Sequence, residues 1–133
     1  MKGLLKIIQD GHIFAIVLRR GFSRPGPNFF TPGEFSQQLG LLVHPKGKTI
    51  NRHRHKLVRR EIFRTQEVLL LLEGKIRVEL YDNDGEKLKA VILHPGDAIL
   101  LAQGGHKVKV LADAKIMEVK QGPYAGFDDK EYF

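Results

Sequence analysis

The sequence predicts an all-β fold, a barrel or sandwich, on three observations. Its hydrophobicity repeats with a period of two, turn-forming residues punctuate it at short intervals, and no segment carries a sustained 3.6-residue apolar stripe. Lys75-Ile-Arg-Val-Glu-Leu80 alternates polar with apolar, as does Lys107-Val-Lys-Val110, so each reads as a strand with one wet face. Val68–Leu72 is a continuous apolar run bounded by turn residues, as expected of a strand buried on both faces. Many short strands closed by turn signals are the pattern of a barrel or sandwich.

Taken in order, further strands are expected at Leu4–Ile8, Ile13–Leu18, Gln38–Val43, Leu88–Leu93, Ala98–Leu101 and Lys115–Lys120. Asp82-Asn-Asp-Gly85 supplies positive-φ residues for a hairpin, and His94-Pro-Gly-Asp97 forms a second turn. Gly21–Gly33 reads as one long irregular connection. The aromatic ending GPYAGFDDKEYF reads as a tail packing across the barrel.

At 133 residues the chain is expected to be a single domain spanning 1–133, with N-terminal strands within 1–20 and the tail at 121–133 packed on it. A content of 42% hydrophobic and 28% charged residues is that of an ordinary soluble globular protein. Cysteine is absent, so any metal must be held by imidazole and carboxylate, and a cytoplasmic location is expected. Lys6, Gln9 and Asp10 interrupt the first apolar run, against a signal segment, and no run is long enough to span a membrane.

The net charge of +7 favours anionic partners, and its distribution sharpens the point. Lys46, Lys48, Arg52, Arg54, Lys56, Arg59, Arg60 and Arg64 lie in one stretch opposed only by Glu61. Phe63 is the only aromatic residue there, so there is no stacking platform for nucleic acid, which ranks last among the partners.

The same stretch holds His53 and His55. In extended chain, residues i and i+2 share a face roughly 6.5–7 Å apart, a spacing from which two imidazoles can turn toward one ion. Gly47 precedes His53 with five residues between, and Glu67 precedes Gly74 with six between. Downstream, Gly96-Asp97 opens a strand that ends at Gly104-Gly105-His106. With these two motifs in order, residues 38–120 resemble the cupin superfamily.

The resemblance implies a cupin β-barrel (a jelly roll, or double-stranded β-helix) with metal ligands His53, His55, Glu67 and His106. It also implies a divalent transition ion (Fe, Mn, Ni or Zn) and a homodimer paired through edge strands. The sequence departs from the family pattern in the eleven-residue gap KLVRREIFRTQ between His55 and Glu67, which makes Glu61 a rival carboxylate. It also lacks a proline near Ala102. Glu67 is preferred because it keeps the strand and turn spacing up to Gly74. The ending Glu118–Tyr124, with Thr31-Pro32 and Gln38-Leu39-Gly40, is similar to small bacterial cupins, some of them resembling proteins of surface-polysaccharide and sugar-nucleotide pathways.

Around such a site, Arg59, Arg60 and Arg64 are the residues expected to hold a phosphate or carboxylate bidentately, with Tyr124 over the mouth. The function expected is a sugar-phosphate or nucleotide-sugar isomerase or epimerase. The alternatives are a non-catalytic binding or sensor module and, if the ion is iron, a non-haem oxygenase. No catalytic residue beyond the ligands stands out.

Overall fold

The computed structural model describes residues 2–133; Met1, inside the expected N-terminal strand region, lies outside the described residues. Eight strands form among them, and no α-helix: β1 (Leu4–Gln9), β2 (His12–Leu18), β3 (Gly26–Phe29), β4 (Gly40–Val43), β5 (Glu67–Tyr81), β6 (Lys87–Leu93), β7 (Ala98–Leu101) and β8 (Gly105–Lys120). One 3₁₀ turn follows at Gly126–Asp128.

Six strands make one sheet in the order β1-β2-β7-β5-β6, with β8 on the other edge of β5; β3 and β4 make a second, two-stranded sheet. The large sheet curls because β5 serves two neighbourhoods. Glu67–Leu70 pair with β7, Ile76–Tyr81 pair with β6, and β8 runs antiparallel along nearly the whole strand. The register slips three times between Leu71 and Ile76, the mark of bulges, and bulges bend and twist a strand. The two runs separated by Gly74 in sequence are thus one bent strand. Gly74 sits at the bend with φ +92°, and a Cβ there would stand 2.2 Å from the Asp113 carbonyl oxygen. The result is a strongly curled half-barrel.

Alternation then sorts the side chains into two cores. Ala15, Val17, Leu69, Leu71, Ile76, Val78, Leu80, Leu93, Ile99 and Leu101 fill the concave side. Ile16, Leu18, Leu100 and Ala102, facing the other way, pack against Phe22 and Phe30, with Phe35, Leu39 and Leu41 beside them. The stretch expected to be irregular, Gly21–Gly33, therefore contains a strand, β3, whose ladder to β4 covers the convex face. Asn28 holds it there, its amide donating to the Arg24, Gly26 and Leu41 carbonyls.

The expected turns form. Asp82 Oδ1 accepts from the Asp84 and Glu86 amides, and Gly85 takes φ +85°. Asp97, buried, accepts from the amides of His94 and Arg20 and pairs with Arg19 at 3.0 Å, tying the second turn to the end of β2. The tail touches the sheet at a few points, and the side chains of Tyr124, Phe127 and Tyr132 stay largely exposed. Lys120 bonds Asp129 at 3.2 Å, and the Phe133 ring meets Tyr81 edge-on at 5.5 Å.

Candidate functional site

Glu67 opens β5 and His106 lies at the start of β8, at opposite ends of the bent antiparallel β5–β8 ladder. The curl brings them together: His106 Nε2 is 2.8 Å from Glu67 Oε1. Both belong to the concave face, since His106 pairs with the core residue Leu80 and Glu67 with the core residue Leu101. Glu67 is buried, while the His106 side chain is 37% exposed, so the pair forms a floor open to solvent on one side.

Two residues of β8 share this face. Lys120 is the ladder partner of Glu67, and Glu118 is the partner of Leu69. The hydrogen bond from His106 pulls the Glu67 carboxyl from 4.5 to about 2, against the upward push of burial. Glu118 moves the other way, raised first by its hydrogen bond to Glu67 and then by burial. Glu67 is thus the ionised member facing the imidazole, and Glu118 keeps its proton to higher pH. With Glu67 ionised, His106 donates to it from Nε2, and Nδ1 is the ring nitrogen turned away from the carboxylate.

His53 and His55 lie elsewhere. Residues 44–66 join no ladder and are exposed except at His44 and Gln66. The like charges of Arg52, Arg54 and Lys56 oppose collapse of this arm onto the body. The two rings stand 5.6 Å apart, near-perpendicular, and His53 Nδ1 meets the Asn51 carbonyl at 2.7 Å. Donating there leaves His53 Nε2 free to ligate, an arrangement common in metal-bound imidazoles. Within one chain, however, no three His, Asp or Glu side chains among the described residues come together to hold a metal ion. The donors are chemically suited to a divalent ion, but a single copy presents them as two separate pairs.

The basic residues divide as well. Arg60 and Arg64, with Glu61, line a cavity of about 880 Å³ shared with Phe35, Gln66 and Gln103. Gln66 and Glu67 are consecutive in extended chain and face opposite ways. Gln66 accepts from the Gln37 amide and meets Ser36 on the convex side, whereas Glu67 meets His106 on the concave side. Arg59 is exposed on the arm and Tyr124 is exposed on the tail, where Lys120 Nζ lies 5.8 Å from its ring centroid.

Sequence reasoning missed Glu118 and three glutamines: the Gln66 carboxamide oxygen accepts from the Gln37 backbone amide, and the Gln37 carboxamide donates to that of Gln121. The signal for Glu118 was present in its position two residues before Lys120, but its ladder partner was not. No helix among the described residues is long and apolar enough to cross a membrane. No protein-family model, curated protein or solved structure matches the chain.

Proposed function

We propose that this chain is a cupin-type barrel protein whose mouth, at Glu67 and His106, takes up an anionic small metabolite of the sugar-phosphate or nucleotide-sugar kind and isomerises or epimerises it. The observation that carries the reading is the 2.8 Å contact of a buried carboxylate with a half-exposed imidazole, backed by a second carboxyl on Glu118. A carboxylate that orients an imidazole sets up a general base, and the imidazolium it forms can return the proton. Lys120 on the same face adds positive charge there, shared with Asp129, to which its Nζ is bonded at 3.2 Å.

In this reading His106 Nδ1 removes a proton from carbon next to a carbonyl, Glu67 stabilises the imidazolium, and the proton returns to the carbanion on either face. The test is proton NMR in D₂O of a mixture of sugar phosphates and nucleotide sugars incubated with the protein. Deuterium is expected to wash into carbon positions adjacent to carbonyl groups, and to do so at least about tenfold more slowly with Glu67→Gln. Absence of wash-in with the unaltered protein overturns the enzyme reading.

One observation favours a second reading, a binding or sensor module. The cavity holding Arg60 and Arg64 is rich in carboxamide donors and lies on the convex side, away from the Glu67–His106 pair. Stoichiometric binding of the same compounds without exchange would support it.

A further inference from the structure

We propose that the outward face shared by β5, β6 and β8 binds single-stranded nucleic acid, its phosphates on a row of cations and a base on the Phe133 ring. This activity is separate from the reaction assigned to the mouth and uses the other face of the sheet.

The face follows from the strand register. Ile76, Val78 and Leu80 point into the concave core, so Lys75, Arg77, Glu79 and Tyr81 point outward. Lys109 is the ladder partner of Arg77, Lys107 that of Glu79 and Gly105 that of Tyr81, so these β8 residues share the outward side. β6 adds Lys87, the partner of Tyr81. Lys75, Arg77, Lys87, Lys107 and Lys109 therefore stand around one carboxylate, that of Glu79. Residues two apart along each strand are separated by about 7 Å, so the cations form a regular row.

Glu79 cannot neutralise them all. Its carboxylate lies 3.5 Å from Arg77 Nε, 3.4 Å from Lys87 Nζ and 3.9 Å from Lys107 Nζ, and it accepts from the Tyr81 hydroxyl at 3.0 Å. Arg77 Nε is buried without a hydrogen-bond partner, and Arg77 directly faces Lys109 across the ladder. Like charges placed opposite each other weaken a sheet. Folding gains nothing from this arrangement, whereas a polyanion laid across it would relieve the repulsion.

The aromatic end of the row distinguishes nucleic acid from other polyanions. Gly105 leaves space that the Phe133 ring fills: a Cβ there would stand 2.3 Å from Phe133 Cζ. Tyr81 meets the same ring edge-on with centroids 5.5 Å apart, which fixes it beside the cations. Phe133 is nonetheless 76% exposed, and Tyr132 before it is 91% exposed. A sulfated glycan or a lipid headgroup has no flat face to lay on such a ring, but a nucleobase has, and aromatic rings in a positive groove are how single strands are held. A duplex fits less well, since its major groove admits a helix or a two-stranded ribbon and not a broad sheet. The exposed Asp84 and Glu86 bound the patch beyond Tyr81, so the strand is expected to run from Phe133 toward Lys75.

Residues 46–64 have no such platform, because Phe63 is their only aromatic residue. Here the cations come from three strands and the rings from Tyr81 and Phe133, so the surface exists only in the folded chain.

The experiment titrates full-length protein into a fluorescein-labelled oligothymidylate and reads its anisotropy at salt concentrations from about 50 to 200 mM. Each phosphate contact contributes about 0.7 to the slope of log affinity against log salt. Lys107→Gln with Lys109→Gln is expected to weaken binding at low salt at least about tenfold and to flatten that slope by about 1.4. Phe133→Ala is expected to weaken binding about 5- to 100-fold and leave the slope unchanged.

No binding by the parent protein at about 50 mM salt overturns the inference. So does binding that neither variant weakens but that Arg52→Gln with Arg54→Gln abolishes, which assigns it to the arm. Binding that needs the two lysines but not Phe133, and that heparin or phosphatidylserine vesicles match, overturns the single-strand reading and leaves a general anionic surface.

Discussion

At the scale of the residue, Asp97 shows how a single carboxylate holds two distant parts of the chain together. It is buried, and its oxygens accept from the amides of His94 and Arg20 and from the Arg19 guanidinium. Burial alone would raise its pKa, but those donors together outweigh burial and hold the carboxyl below its ordinary value of 3.8. Because the folded state depresses that pKa, the stabilisation is complete above 3.8 and is lost as pH falls below it. Asp97→Ala leaves two backbone donors without their acceptor and is expected to cost about 1–3 kcal/mol by urea denaturation at pH 7. The difference between variant and parent should shrink on moving into the acid limb. Leu71, fully buried in the concave core, offers the apolar comparison: Leu71→Ala is expected to cost about 2–5 kcal/mol with no pH dependence of its own.

At the scale of the element, the bend of β5 is what creates a site. Glu67 and His106 sit at far ends of the long β5–β8 ladder and meet only because the strand turns back between Leu71 and Ile76. Gly74→Ala is expected to cost more than about 1–2 kcal/mol, the penalty for a left-handed backbone, since its Cβ would also strike the Asp113 carbonyl. Amide hydrogen exchange of β5 and β8 would report whether the two halves loosen together. The same strands illustrate what period and turn chemistry reveal. Ile76, Val78 and Leu80 alternate cleanly and face the core as their pattern requires, and Asp82–Gly85 closes the hairpin it was expected to close. β3 was hidden because Gly26 and Pro27 read as loop residues, and its ladder exists only where β4 lies beside it.

At the scale of the whole molecule, the half-barrel leaves a free edge, an exposed arm and a partly open core. Leu57 is the informative position. In an isolated chain a fully exposed residue contributes little, so Leu57→Asp should leave the stability of dilute protein within about 0.5 kcal/mol of the parent. Urea denaturation of parent and variant at one low protein concentration checks this.

By itself the sequence determined that the chain is built of strands, where most of those strands run, which alternate residues face inward, and which histidines and carboxylates have the chemistry to bind an ion. These follow from local rules: a period of two, positive-φ glycines at turns, and side-chain identity. Only the tertiary structure decided that Glu67 meets His106 and Glu118, that Arg60 and Arg64 line a cavity on the opposite face, and that His53 and His55 stand apart on an arm. Those placements depend on how far β5 bends and on which strand edges are paired. Both are set by contacts between residues distant in sequence, where a local pattern carries no information about the partner.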